Sequence, residues 1–456
     1  MYLRAVPGRE TLEERTSIGA SVAAVAVVIV VVDGERGVRR VHAVPPRGLT
    51  IGRAGELDVE VALDDDLASR RHAEVHWSGG AWRVTDLGSR NGTSADGARI
   101  EGTVELGGDG VVRIGRSVLL LVRDGRGHDA AVGDDDERVV GPELQRAFAA
   151  VTEAAREPTL LVLGESGTGK EAAARAYHDA GPRRAGPLVT VNGATIAASV
   201  AERLLFGARR GAYSGATDAP GFVQAAAGGT LFLDEVAELD LDVQAKLLRV
   251  IETHEVIPLG ATAGTVVEVG IVAATHADLD ARIAAGRFRA DLYYRLARPV
   301  VVLPPLRARL ADIPRLVLRF IAAAAPGLRA HPRLIETCCL RAWPGNVREL
   351  SHAVRAAAQR AVADGRDVVR AENLAGGEPP GIAREVVAAR PSSAAATPAE
   401  DAARVPPPPD RARIVAALEA ANGNLSAAAR ALGLHRTHLY RLMEKLGLRR
   451  DDDAGD

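Results

Sequence analysis

Thr159-Leu160-Leu161-Val162-Leu163-Gly164-Glu165-Ser166-Gly167-Thr168-Gly169-Lys170 is the stretch that decides the fold. Its first five residues read as a buried strand, and the glycine-rich run that follows opens a helical pattern over Ala172–Tyr177. Strand, glycine loop and helix in that order make a phosphate cradle, because backbone N–H groups at a helix start converge on an anion. Lys170 is then expected at the β- and γ-phosphates. Lys170, Lys246 and Lys445 are the only lysines in a chain rich in arginine, so lysine at this position is a choice. A plain glycine turn is the competing explanation, and it does not account for the strand before the loop and the helix after it.

Downstream, Leu231-Phe232-Leu233-Asp234-Glu235 is an apolar run ending in two carboxylates. Taken alone it reads as an acidic helix start. Taken with Lys170, Asp234 is expected to hold Mg²⁺ through water and Glu235 to polarise the water that attacks ATP. The hydroxyl that usually follows the loop lysine is replaced by Glu171. Between the two motifs lies Gly211-Ala212-Tyr213-Ser214-Gly215-Ala216. Glycine at both ends lets this insertion turn freely and project a ring and a hydroxyl toward a partner.

At 456 residues the chain is too long for one core. A net charge of −2 leaves any nucleic-acid affinity to a local patch, and adjacent Cys338 and Cys339 fit a reducing, cytoplasmic compartment. The apolar stretch Ser21–Val32 is too short to span a membrane and reads as a buried strand; no membrane partner is expected. Composition divides the chain into an all-β sandwich over 20–124, a polar linker over 125–138, an α/β domain with a helical lid from about 307 over 139–376, a Pro- and Ala-rich linker over 377–410 and a helical segment over 411–450.

The α/β region resembles the AAA+ domain of sigma-54-dependent transcriptional activators, the bacterial enhancer-binding proteins. The likeness is carried by Gly164–Glu171, Gly211–Ala216, Leu231–Glu235, the Gly286-Arg287-Phe288-Arg289-Ala290-Asp291-Leu292 run and Trp343-Pro344-Gly345-Asn346-Val347-Arg348. It implies an ATPase ring, hexameric by expectation, in which Glu171 is the ordinary residue after the lysine. Asn192 is implied to restrain Glu235, Arg289 and Arg295 to reach the nucleotide of a neighbouring subunit, Arg348 to sense nucleotide from the lid, and Gly211–Ala216 to grip sigma-54 RNA polymerase holoenzyme. Tyr213 and Ser214 stand where the family has Phe and Thr, and His276 stands where it has Asn in the nucleotide-sensing strand.

In the β-rich region Gly52-Arg53, Ser69-Arg70-Arg71-His72 and Asn91-Gly92-Thr93 fall at strand ends or loops. Arginine forks suit oxyanions. The three-part spacing resembles forkhead-associated (FHA) domains, which implies that Arg53, Ser69 and Arg70 contact a phosphothreonine-containing protein, a Ser/Thr kinase or its substrate. It also implies that Asn91 holds the peptide backbone and His72 braces the loop. Turn glycines and a satisfied core histidine would explain the same residues structurally. Over 411–450 basic residues outnumber acids, and Gly423–Leu448 resembles a Fis-type helix-turn-helix. Arg436, Thr437, His438 and Arg441 are then nearest the bases of upstream double-stranded DNA, with Lys445 on phosphate. The combined reading is an ATP-Mg²⁺-driven transcription activator under phosphothreonine control. A DNA-bound phosphopeptide adaptor or repressor with a weak or dead ATPase, and an AAA+ remodeller of another partner, fit the same motifs.

Overall fold

A computed structural model describes residues 25–34, 36–56, 58–128, 141–212, 214 and 217–375. The N-terminal part is a sandwich of eleven strands: β1 (Val27–Asp33), β2 (Arg36–Ala43), β3 (Leu49–Arg53), β4 (Val61–Leu63), β5 (Ala73–Ser78), β6 (Ala81–Asp86), β7 (Thr93–Ala95), β8 (Ala98–Ile100), β9 (Thr103–Gly107), β10 (Gly110–Ile114) and β11 (Ser117–Val122). One sheet runs β2-β1-β11-β10-β7-β8 and the other β4-β3-β5-β6-β9. Val28, Val30, Leu119 and Leu121 close the space between the sheets with Ile51, Val75 and Trp82.

β5 and β6 alternate buried and more exposed positions, as strands with one wet face do. β1 and β11 do not alternate: every residue in both is buried. An antiparallel strand apolar on both faces needs a cover on each. Val27, Ile29, Leu120 and Val122 point away from the sandwich core into a second cluster shared with the helical lid.

The α/β domain follows: α1 (Pro142–Ala154), β12 (Thr159–Leu163), α2 (Lys170–Ala180), β13 (Leu188–Asn192), α3 (Ala198–Phe206), α4 (Phe222–Ala225), β14 (Thr230–Asp234), α5 (Leu241–Thr253), β15 (Glu255–Val256), β16 (Thr265–Val266), β17 (Gly270–Thr275), α6 (Leu279–Ala284), α7 (Ala290–Leu296) and β18 (Val300–Val302). Its five-stranded sheet has the order β13-β14-β17-β12-β18, and every pair in it is parallel. The three inner strands, β14, β17 and β12, are apolar runs because helices cover both faces. The lid adds α8 (Ile313–Ala324), β19 (Arg329–Ala330), α9 (Pro332–Leu340), α10 (Asn346–Ala363) and β20 (Val368–Val369). In α9 the six residues Leu334–Cys339 are all buried, so that helix is covered all round. Among the described residues no helix is long and apolar enough to cross a membrane. The 411–450 segment lies outside the described residues.

Candidate functional site

The carboxyl ends of β12, β14 and β17 converge on the glycine loop, where an open parallel sheet places its ligands. Gly167 and Gly169 have φ of +77° and +111°, a region that favours glycine. A methyl group on Gly167 would also sit 2.3 Å from the Gly345 carbonyl oxygen of the lid. Lys170 is 7% exposed, and its Nζ donates to the Gly164 carbonyl at 3.0 Å and lies 3.5 Å from Glu235 Oε1. Its ammonium is therefore aimed along the cradle. Glu171, in the first turn of α2, is exposed and lines the same cavity.

The two carboxylates have different surroundings. Burial raises the Asp234 pKa, with the Lys170 charge pulling the other way. Burial also opposes ionisation of Glu235, but hydrogen bonding from His276 and the Lys170 charge outweigh it and its pKa falls. His276 Nδ1 is 2.8 Å from Glu235 Oε1, and because a carboxylate only accepts, Nδ1 carries the ring proton. Thr275 Oγ1 donates to Glu235 Oε2 at 3.1 Å, and the His276 backbone N–H adds a longer bond. Glu235 itself takes a left-handed backbone, φ +54°. Asn192 is a Cα partner of Asp234 in the sheet, yet its side chain accepts from the Ala194 N–H instead of reaching Glu235. The restraint on Glu235 in this state comes from His276, Thr275 and Lys170, where Asn192 had been expected.

Lys170, Asn192, Asp234 and Glu235 line a cavity of about 760 Å³ with an apolar wall of Leu144, Phe148, Leu316 and Phe320. The lid closes its rim. Arg348 Nη1 donates to Ser166 Oγ at 3.1 Å, and the Val347 N–H to the Gly167 carbonyl. Arg307 grips Glu165 with two bonds, 2.6 and 2.8 Å, and Asn346 Nδ2 adds a third at 3.0 Å. Those bonds hold the Glu165 carboxyl down at about 2. Arg289 and Arg295 project at the surface, tethered to Asp291 and Glu252.

Of the 211–216 insertion, Tyr213, Gly215 and Ala216 lie outside the described residues. Its root is firm: the Arg209 N–H donates to the Leu259 carbonyl, and Ala208 bridges both Ala219 and Leu259. Gly211 has φ +89°, and Ser214 is exposed.

In the N-terminal sandwich, Ser69 organises a second constellation. Its N–H donates to His72 Nδ1 at 2.9 Å, its carbonyl accepts from the Arg53 N–H, and its hydroxyl accepts from the Arg90 N–H. With Nδ1 accepting, the proton on the fully buried His72 ring sits on Nε2 and points at the Gly92 carbonyl, 3.3 Å away. Asn91 Nδ2 donates to the Leu67 carbonyl. Arg53, Arg70, Arg71 and Arg90 surround Ser69, are exposed, and have no carboxylate partner among the described residues. Gly52 is required by contact: a methyl there would lie 2.0 Å from the Arg70 carbonyl oxygen.

Four family models match in series: the FHA domain over residues 49–115, the sigma-54 interaction domain over 140–301, the AAA+ ATPase lid domain over 307–376 and the bacterial regulatory protein Fis family over 409–446. The DNA-binding transcriptional regulator NtrC of Azospirillum brasilense is 38% identical over 346 residues, which are 70% of this chain and 72% of that protein. The chain belongs to the sigma-54-dependent transcriptional activators. The nitric oxide reductase transcription regulator NorR2 of Cupriavidus necator is 44% identical over 307 residues, 63% of this chain and 58% of that protein. A crystal structure of NtrX from Brucella abortus in complex with ATP is 30% identical, covering 68% of this chain and 69% of that one, with a TM-score of 0.49. The chain spans about six tenths of the length of the nitric oxide regulators it matches.

Within this activator, the matches make the N-terminal sandwich an FHA domain, the centre an AAA+ ATPase domain with its lid, and the end a Fis-type helix-turn-helix. The expected DNA contacts Arg436, Thr437, His438, Arg441 and Lys445 all lie outside the described residues. Sequence reasoning missed the Arg307–Glu165–Asn346 clasp. Arg307 and Glu165 are 142 positions apart, and nothing local to either marks the other.

Proposed function

We propose that this activator hydrolyses ATP and uses the energy, through the 211–216 insertion, to remodel sigma-54 RNA polymerase at a promoter, under control of a phosphothreonine ligand on its FHA domain. The observation that carries the reading is Glu235, ionised and held by His276 and Thr275 beside Lys170 in the lid-covered cavity. Asp234, half-buried at the same strand end, is a hard oxygen donor suited to Mg²⁺, which supplies charge neutralisation at the phosphates when bound. Lys170 orients the phosphates, and Glu235 accepts the proton of the attacking water. The inter-subunit arginines Arg289 and Arg295 offset developing charge from across a ring. DNA binding by the Fis-type segment, and work in the cytoplasm, follow from the same reading.

The test is ATP turnover and open-complex formation on a sigma-54 promoter with wild-type and Glu235→Gln protein. Loss of both in the variant, with ATP still bound, is the expected result. Turnover by wild-type protein with no promoter opening, with or without a phosphothreonine ligand, transfers the motor to another partner. The substitutions at Tyr213, Ser214 and His276 are the features that favour that second reading.

A further inference from the structure

The sandwich and the lid share one hydrophobic core. Ile29, Val31, Leu120 and Val122 of the outer FHA sheet pack in the same cluster as Leu316, Ile321, Ile335 and Cys339 of the lid. At one end of this seam stands a buried carboxylate, Glu336 of α9, 5% exposed. It accepts from Ser94 Oγ at 2.8 Å and from Arg113 Nε at 2.5 Å. Ser94 on β7 and Arg113 on β10 are direct cross-strand partners, so one carboxylate spans both strands.

β7 begins where the Asn91-Gly92 loop ends. Thr93 is fixed through Oγ1 to Asp86 at 2.6 Å, and Asp86 also holds Ser89 of the same loop. On the other side, α9 leads through Trp343, whose Nε1 donates to the Cys338 carbonyl, to Asn346 and Arg348 on the glycine loop. A continuous run of hydrogen bonds and packed side chains therefore joins the Ser69–Asn91 constellation to the nucleotide cradle.

We propose that the Ser94–Glu336–Arg113 seam couples the two sites: occupancy of the phosphothreonine loops alters nucleotide affinity through the lid, and nucleotide alters phosphopeptide affinity by the same factor. This rests on the phosphopeptide reading of the FHA domain. The lid bonds the glycine loop through Asn346, Val347 and Arg348, so nucleotide in the cradle bears on it directly. Glu336 transmits because it bonds a strand rooted in the recognition loop to the helix that leads to Arg348.

The experiment uses the full chain. Binding of a fluorescein-labelled degenerate phosphothreonine peptide pool is followed by anisotropy, with and without ADP, against the unphosphorylated pool. In parallel, deuterium uptake over residues 88–95 is measured with and without ADP. The expected result is a change in apparent Kd of at least about fivefold on adding ADP, and a nucleotide-dependent change in uptake. Both should collapse in Glu336→Ala and in the milder Ser94→Ala, and return in the charge swap Arg113→Glu with Glu336→Arg. Equal Kd and equal uptake with and without ADP overturn the coupling. A shift that persists in both single variants overturns its assignment to Glu336. If neither pool binds, the phosphopeptide reading falls, while the exchange measurement still judges the seam.

Discussion

Leu119 and Leu120 are neighbours on β11, both fully buried, and they face different partners. Leu119 fills the sandwich core and Leu120 the seam with the lid. Truncation of either to Ala removes a buried isobutyl group and leaves a cavity, costing about 3 kcal/mol. The two losses should fall on different events. Leu120→Ala lowers the free energy of opening the seam, and 3 kcal/mol corresponds to an opened population larger by about 150-fold. Leu119→Ala weakens the sandwich itself, whose whole unfolding is a rarer event than local opening. Cys339 reports the difference. Helical spacing puts it on the same side of α9 as Glu336, and burial, with the Glu336 charge nearby, raises its thiol well above the ordinary value. The same spacing turns Cys338 away from the Glu336 side of α9, and burial pushes its thiol up to about 12. Labelling by a thiol reagent at pH 8 therefore runs through opening. With Leu120→Ala, one thiol per chain should label faster by about 150-fold, and with Leu119→Ala labelling should stay near the wild-type rate at 25 °C. Equal acceleration by both substitutions, or none by Leu120→Ala, would refute the division of faces.

Gly167→Ala meets the Gly345 carbonyl at 2.3 Å and a left-handed backbone at once, so the lid must back away and ATP binding should weaken by tenfold or more, read by calorimetry with the fold intact by circular dichroism. Gly52→Ala drives a methyl to 2.0 Å from the Arg70 carbonyl oxygen, and phosphopeptide binding should be lost while ATP turnover is kept; full retention of binding counts against the Ser69 constellation. Burial pushes the Asp312 carboxyl up to about 7, so its favourable contribution is complete below the ordinary carboxylate range and lost as pH rises through about 7. Buried His72 and His128 are held below 6.5, and theirs is complete above 6.5 and lost as pH falls. Melting temperature should therefore peak between about pH 6 and 7, and a steady rise to pH 9 by fluorimetry would contradict the Asp312 assignment.

The nucleotide cradle and most strands were legible because their signals are local. The apolar run Leu160–Val162 before glycines, and the alternation through Glu74–Trp77, each encode their own surroundings within a few residues. What escaped notice is set by groups far apart in the chain. Arg113 and Glu336 are 223 positions apart, and each alone is an ordinary surface-type residue. Asn346 appeared only as a letter in a lid motif, yet it sits in a left-handed conformation, φ +51°, with its side-chain Nδ2 donating to the glycine loop and its Oδ1 accepting from the Leu306 N–H. His276, read as a substitution in the sensing strand, turns out to be the closest partner of Glu235.

The seam was half legible. An unbroken apolar run such as Val27–Val32 in an antiparallel sheet announces a cover on both faces, and the six consecutive buried positions of α9 announce a helix that needs more than its own lid. Neither segment names its partner, because burial is non-directional and many surfaces would satisfy it. Direction comes from the polar contact: a buried Glu336 carboxyl set among apolar side chains tolerates its position only where a guanidinium and a hydroxyl meet it, and that requirement favours one register of sheet on helix. Hydrophobic area holds the sandwich and the lid together, and the Glu336 contact adds direction to that packing. A signal that shifts β7 must therefore either move the lid or break the Glu336 contact.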